Sequence, residues 1–229
     1  EWSQADLMKL LNPGYENESV GGSLYYNGGS GNCYYSSNNG TSSCNFKRSG
    51  LKENLKALIG DVIWNTGSND GVTYTYKNII ANKFYELERS SNNGKICSSG
   101  GYCNDTVERT TTWTGKVGVI YPSDYGYATS GSSTTNRTSC LNTNLYNWSD
   151  SGYSGCSVYD WIDYNGWQWT ISPYADSLDA CRVFVVNGHG RVNDDNVRTA
   201  MLVRPSVYLL SSTSILEGEG TEENPYTIG

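Results

Sequence analysis

Histidine, basic residues and long apolar runs are scarce in this sequence of 229 residues. The one histidine, His189, excludes histidine-rich metal sites and leaves any His-based catalytic triad dependent on a single residue. No run of about 18 apolar residues occurs, so no stretch of the sequence is typical of a membrane-spanning helix. With 16 Lys and Arg against 23 Asp and Glu, the net charge of −7 argues against nucleic acid as a partner, because nucleic acid requires a basic face.

Two motifs of chemically active proteins are also missing. No Cys-x2-Cys spacing occurs among the seven cysteines, which argues against a zinc site of the common kind. No Gly-x-Ser-x-Gly elbow occurs either, so the many serines lack the setting of a hydrolase nucleophile.

Small polar and aromatic residues dominate what is present. The chain has 29 Ser, 26 Gly, 24 Asn and 19 Thr, together with 19 Tyr and 7 Trp. The Tyr and Trp side chains can bury large areas, and the length is sufficient for one large domain with a hydrophobic core. We therefore expect a folded, turn-rich protein.

Six of the seven cysteines fall into neighbouring pairs that bracket Gly-, Ser- and Asn-rich stretches. Closing such loops stabilises a fold by about 2–4 kcal/mol each, and persistent disulfides indicate an oxidising compartment. The spacing therefore predicts three local disulfides, with Cys181 left over and with zinc as the alternative. The predicted pairs are Cys33 with Cys44, Cys97 with Cys103, and Cys140 with Cys156.

Helical patterns come first along the chain. A capping box at Ser3–Asp6 predicts a helix over 5–11, and Ser49 precedes a one-sided apolar pattern that predicts a helix over 51–64. A third helix is predicted over 77–89. Loops are predicted over 15–48 and 90–103.

Strand patterns dominate the second half. Strands are predicted over 116–121, 167–172, 181–186 and 202–210, the first of them ended by Pro122. A short helix is predicted over 141–148, and Asn187-Gly188 predicts a hairpin turn. Helices followed by antiparallel strands indicate the α+β class. We expect one domain over 1–229, with a helix- and loop-rich part over 1–112 and a strand-rich part over 113–229.

Several segments resemble a family of surface proteins of human-gut bacteria. They are residues 113–125, 141–148, Trp-x-x-Ser-Pro at 169–173, Val-Arg-Pro-Ser-Val-Tyr-Leu at 203–209, and 218–227. Members often carry a type IV pilin-like N-terminal helix ahead of a C-type-lectin-like module. The resemblance implies that module here, with a twisted antiparallel sheet, flanking helices and long disulfide-stapled loops. It also implies ligand binding rather than catalysis.

The resemblance further implies a variable surface, because some such modules are diversified by retroelements that mutate adenines. Scrambling the adenines of an Asn codon cannot give Lys, Glu, Gln, Met or Trp. Those five types number 30 in the chain, yet the window 174–204 contains one, Met201. The window also holds His189, Cys181 and four of the eight arginines. An ordinary polar hairpin is the alternative interpretation.

Three groups of acidic residues are candidates for a chemical role. Residues 193–196, Asn-Asp-Asp-Asn, offer oxygens of the kind that Ca²⁺ prefers, but consecutive side chains point in different directions. We interpret them as a solvated acidic turn, with calcium as the alternative and no other cofactor expected. The pairs Asp160/Asp163 and Asp176/Asp179 are the candidates for acid and base in a glycosidase.

The sequence also predicts roles for three tryptophans and for Arg204. Trp161, Trp167 and Trp169 are candidates for stacking on a sugar or contacting a protein. Because Trp167 and Trp169 alternate with Gln168, we expect both to point into the core. We expect Arg204 to form a salt bridge within the scaffold.

We therefore predict a non-enzymatic extracellular or cell-surface protein that binds a protein or glycan ligand. One alternative is a structural, pilin-like surface subunit, and another is a secreted carbohydrate-active enzyme. Because the chain begins at Glu1, we interpret it as a mature fragment whose membrane attachment, if any, lies in a segment outside it. The predicted ligand contacts are Tyr174, Asp176, Asp179, Arg182, His189, Arg191, Asp194 and Arg198.

Overall fold

The fold mixes helices with antiparallel sheets, which confirms the predicted α+β class. The computed structural model describes residues 2, 5–12, 30–32, 43–45, 57–66, 69–70, 76–89, 112–162, 166–175, 182–219 and 224–229. The chain divides into two compact units. The first unit contains residues 1–3, 64–113 and 119–205, and the second contains residues 4–63, 114–118 and 206–229.

The described residues form short elements joined by many turns. The helices are α1 (Asp6–Leu11), α2 (Ala81–Glu88), α3 (Pro122–Ala128), α4 (Arg137–Leu141) and α5 (Ser154–Val158), with 3-10 turns at Tyr76–Asn78 and Leu145–Ser149. The strands are β1 (Ser30–Asn32), β2 (Ser43–Asn45), β3 (Val62–Asn65), β4 (Asn69–Asp70), β5 (Thr112–Gly115), β6 (Val117–Val119), β7 (Gln168–Ala175), β8 (Arg182–Val186), β9 (Val192–Asn196), β10 (Pro205–Val207), β11 (Ile215–Glu217) and β12 (Thr227–Ile228).

A four-stranded sheet organises the first unit. Its strand order is β4-β7-β8-β9, with β4 parallel to β7 and the other neighbours antiparallel. The register places Gln168 opposite Val186 and Phe184 opposite Asp194. The beginning of β7 and the turn between β8 and β9 therefore lie at the same end of the sheet.

Helices α2 and α3 pack with this sheet around an aromatic core. Phe84 of α2 meets Phe184 of β8 edge-on, with ring centroids 5.2 Å apart. Tyr125 of α3 packs against Trp148 at 5.3 Å, and both rings are fully buried. Burying a large side chain contributes about 2–3 kcal/mol, so a few aromatic residues replace many aliphatic ones in this core.

A disulfide joins α4 to α5 in the first unit. Cys140 and Cys156 form this bond, which confirms one of the three predicted pairs. Cys33, Cys97, Cys103 and Cys181 lie outside the described residues. Their predicted states remain predictions.

The second unit uses side chains to satisfy backbone groups. The buried Asn12, just after α1, donates from Nδ2 to the Val117 carbonyl at 2.9 Å and accepts from the Val117 N–H at 2.9 Å. Lys116 donates from Nζ to the Ile59 carbonyl at 3.0 Å. These bonds tie together the short segments that the structure describes in this unit.

The helix predictions are confirmed in part. The helix over 5–11 is present as α1, but its N-cap is Ala5, whose side chain cannot cap, so the capping-box prediction is wrong. The helix over 77–89 appears as a 3-10 turn followed by α2. The end of the helix predicted over 51–64 is wrong, because Val62–Asn65 forms β3 and pairs with β5. The predicted loop over 15–48 contains β1 and β2, which pair with each other.

The strand predictions are more accurate. Strands β7, β8 and β9 confirm the strand over 167–172, the strand over 181–186 and the hairpin turn between β8 and β9. Pro122 does more than end β6, because it occupies the first turn of α3, where its fixed φ suits a helix. The strand predicted over 202–210 is limited to β10, with isolated bridges at Leu202 and Leu209.

Candidate functional site

A rigid turn joins β8 to β9. The buried Asn187 side chain accepts from the N–H groups of His189 at 2.9 Å and Arg191 at 3.3 Å. Gly190 has φ +73°, a conformation that favours glycine, and its carbonyl accepts from the Tyr125 hydroxyl at 2.8 Å. The turn is therefore held both locally and by α3, and its exposed residues are presented in one fixed conformation.

The predicted ligand contacts fall into two groups at opposite ends of the hairpin. His189 is exposed in the turn, and Arg191, two residues later, is the last residue before β9. Arg182 begins β8 at the other end, and Arg198 is exposed in the turn after β9. Five strand residues span about 13 Å, so these groups do not form one continuous cluster. We call the two regions the turn end and the open end of the hairpin.

At the open end, the charged residues interact with each other. Arg182 Nη1 donates to Asp194 Oδ2, and the Asp194 side chain is only 7% exposed, against 39% for Arg182. The Tyr174 ring packs edge-on against Phe184, with centroids 5.3 Å apart. These three side chains therefore contribute to the scaffold. Asp176 and Asp179 lie outside the described residues.

The acidic segment 193–196 belongs to a strand rather than to the predicted turn. It lies within β9, where side chains alternate between the two faces of the sheet. Among the described residues no group of three or more His, Cys, Asp or Glu side chains could hold a metal ion. Asp160, an acid candidate, is buried and accepts from the Ile162 N–H at 2.8 Å, while Asp163 is outside the described part of the chain.

An exposed apolar surface lies at the same end of the sheet as the turn. We call Trp161, Trp167, Leu202 and Val203 the aromatic patch. Trp161 is 73% exposed and Trp167 is 39% exposed. Leu202 donates its N–H to the Trp167 carbonyl at 2.9 Å, which places the chain around Leu202 beside the start of β7. Exposed apolar groups of this kind mark interaction sites more often than scattered single residues do.

Buried polar bonds hold the aromatic patch in place. Gln168, 1% exposed, accepts from Arg204 Nε at 3.3 Å, and Arg204 Nη2 donates to the Ile162 carbonyl at 2.8 Å. Thr170 is also buried and donates to the Phe184 carbonyl at 2.7 Å. The predicted inward orientation of Trp167 is thus wrong, because the polar residues of β7 find partners inside. Arg204 does support the scaffold, but through hydrogen bonds to a carbonyl and an amide, and among the described residues it does not form the predicted salt bridge.

A buried carboxylate, which was not predicted from the sequence, lies between α2 and α3. Glu88 accepts from the Ser123 N–H at 3.0 Å and from the Ser123 hydroxyl. Arg89 donates to the same carboxylate at 3.2 Å and lies over the Tyr85 ring, 3.9 Å from its centroid. These bonds cap the start of α3, a helix that was not predicted from the sequence. Pro122 is the sequence signal for it, because proline is common in the first turn of a helix.

Burial is the main influence on the Glu88 carboxyl group. It raises the pKa of Glu88 to about 7, against the opposing effect of the Ser123 hydrogen bonds, while the Asp124 charge raises this pKa further and Arg89 lowers it. Burial also raises the pKa of Asp124, although its carboxylate accepts from the Tyr121 N–H at 2.9 Å. Proton uptake at Glu88 near neutral pH is therefore linked to the contact between α2 and α3.

No protein-family model, curated protein or solved structure matches the chain. Within the described ranges, no helix has the length and apolar character needed to cross a membrane.

Proposed function

We propose that this chain is an extracellular protein that binds a ligand without chemically transforming it, and that it carries a C-type-lectin-like module. The aromatic patch is the observation on which this proposal depends. The protein buries the polar side chains of Gln168 and Thr170 and exposes the apolar rings of Trp161 and Trp167. Exposing these rings to water costs free energy, and contact with a ligand would offset that cost.

The fixed backbone beneath the patch supports recognition over packing. Leu202 donates its N–H to the Trp167 carbonyl and accepts from the Trp169 N–H. Arg204 and Gln168 both donate to the Ile162 carbonyl. A surface that is already ordered loses little conformational entropy on binding. Rigid aromatic side chains among small polar residues are also the chemistry of antibody-like binding surfaces.

The disulfide and the hairpin support the remaining parts of the proposal. Disulfides persist in oxidising compartments, so Cys140–Cys156 favours an extracellular or cell-surface location. An antiparallel hairpin flanked by helices is compatible with a lectin-like module. The window 174–204 contains that hairpin and Leu202, and we propose that a retroelement diversifies this window.

A screen against glycan and protein arrays tests the proposed function. We expect the wild type to bind a ligand and the double variant Trp161→Ala/Trp167→Ala to bind it at least about tenfold more weakly, because exposed aromatic contacts are typical hot spots. Tyr226→Ala is the matched control, since Tyr226 is 54% exposed and belongs to the second unit. Equal affinity of the double variant and the control would contradict the proposal.

The structural-subunit alternative has one observation in its favour. On β11, Ile215 and Leu216 are 63% and 62% exposed, which is the composition of a packing surface between subunits. If that alternative holds, sedimentation will detect assembly that Ile215→Ser/Leu216→Ser abolishes. Unchanged sedimentation of that variant would remove the support that this surface gives.

A further inference from the structure

We propose that the turn end of the hairpin binds the anionic group, a carboxylate or a sulfate, of an acidic saccharide. The site consists of Arg191 and Lys77, whose cationic groups both lie near the Tyr146 ring. His189 is exposed in the same turn as Arg191. This inference rests on the proposed function, because it assigns a ligand class to one part of the same surface.

Arg191 is a guanidinium without an acidic partner among the described residues. Its Cζ lies over the Tyr146 ring, 4.8 Å from the centroid, and its Nε is buried without an acceptor. Stacking on an aromatic face uses the plane of a guanidinium and leaves its edge donors for another group. A planar oxyanion is the partner that matches those donors, because it can accept two parallel hydrogen bonds.

A second cation shares the same ring. Lys77 Nζ lies 5.0 Å from the Tyr146 centroid, so two positive charges occupy one small region of a protein whose net charge is −7. An anion bound at the Arg191 guanidinium would also be attracted by the nearby charge of Lys77. The arrangement therefore favours an anionic ligand over a neutral one.

Backbone hydrogen bonds position the segments that carry these residues. Tyr146 lies between the fully buried Leu145 and Trp148, and the Leu145 N–H donates to the Ile79 carbonyl at 3.0 Å, two residues after Lys77. The backbone of Arg191 is bound at its N–H by the Asn187 side chain. The site is thus positioned before any ligand arrives, which reduces the entropy lost on binding.

The neighbouring aromatic patch favours a saccharide as the carrier of the anion. Trp167 directly precedes β7 and lies near the turn end of the hairpin, because its neighbour Gln168 pairs with Val186. A sugar ring presents a flat apolar face that a tryptophan can cover, while its acidic substituent binds a cation. An acidic peptide offers the charge without that flat face.

Calorimetric titration at low salt tests the inference with a hyaluronan hexasaccharide, which carries glucuronate carboxylates, and with a neutral chitin hexasaccharide. We expect the wild type to bind the acidic probe, more weakly as salt is added. Arg191→Gln will weaken binding about tenfold, roughly the contribution of one charge-assisted contact, and Arg191→Lys will weaken it less. Arg198→Gln is the matched control, because it removes an exposed arginine at the other end of the hairpin, and it will change the affinity by less than about twofold.

Three results would overturn the inference: no binding of the acidic probe by the wild type, equal affinity of Arg191→Gln and the wild type, or equal affinity for the neutral probe. Preferential binding of a hexaglutamate peptide would overturn the assignment to a saccharide. Thermal unfolding of each variant identifies a loss of fold. If the arrays detect a ligand that depends on Trp161 and Trp167 while the acidic probe fails, this inference fails and the proposed function stands.

Discussion

At the scale of single residues, Glu88 places an ionisable group where water cannot reach it. Its pKa of about 7 exceeds the ordinary value of 4.5, because burial penalises the charged carboxylate more than Arg89 and the Ser123 hydrogen bonds favour it. The folded protein therefore holds a proton that the unfolded chain releases between these two pH values. Stability is greatest below about pH 4.5 for this group and declines until the pH passes about 7.

Glu88→Gln tests this linkage. The amide oxygen can still accept from the Ser123 N–H, and the amide NH2 can donate to the Ser123 hydroxyl, but the side chain cannot ionise. The variant will therefore lack the decline, which amounts to about 2.5 kcal/mol between pH 5 and pH 8. Urea unfolding at both pH values measures it. Glu86→Gln, a change on the exposed side of the same helix, is the control. An equal decline in wild type and Glu88→Gln would show that another group is responsible.

At the scale of elements, the contact between α2 and α3 depends on a glycine. A Cβ at Gly126 would lie 2.6 Å from the Ala81 Cβ and 3.2 Å from Leu145, all within the buried core. Gly126→Ala will therefore separate the two helices and lower the free energy of unfolding by about 1–3 kcal/mol. Gly152→Ala is the control, because no atom lies within 4 Å of its added Cβ. Similar unfolding midpoints for the two variants would refute the close packing.

The disulfide between α4 and α5 gives a second prediction at this scale. Its cysteines are 16 residues apart, and closing a loop of that length stabilises the fold by about 3 kcal/mol. Cys140→Ala/Cys156→Ala will lose about that amount in denaturant unfolding. A reducing agent will destabilise the wild type but not the variant through this bond. A variant as stable as the oxidised wild type would contradict this role.

Sequence patterns predicted those helices and strands that depend on residues close together in the chain. The hairpin of β8 and β9 follows from an apolar strand ending at Asn187-Gly188. The position of α1 was predicted from a capping box that the structure does not form. Val62 and Ile63 fitted a helical face equally well, and their pairing with β5, distant in sequence, decided for a strand. The same limit applies to the site, because the contacts of Arg191 with Tyr146 and of Glu88 with Ser123 depend on tertiary structure.

At the scale of the whole molecule, the charge distribution and the exposed tryptophans both favour ligand binding at the turn end. A chain of net charge −7 keeps Arg191 and Lys77 together at one end of a sheet, and it exposes tryptophans at that end. The charged residues at the other end of the hairpin, Arg182 and Asp194, neutralise each other. In the proposed function, recognition therefore belongs to the turn end and scaffold support to the open end.

The most direct test compares two affinities for whichever ligand the arrays identify. Isothermal titration measures the affinity of Trp167→Ala and of Tyr226→Ala for that ligand. The comparison shows whether an exposed aromatic side chain contributes to binding only when it lies at the turn end. The account predicts that Trp167→Ala binds at least about tenfold more weakly than Tyr226→Ala, with both variants unfolding at similar temperatures. Equal affinities would contradict the assignment of the aromatic patch as the recognition surface.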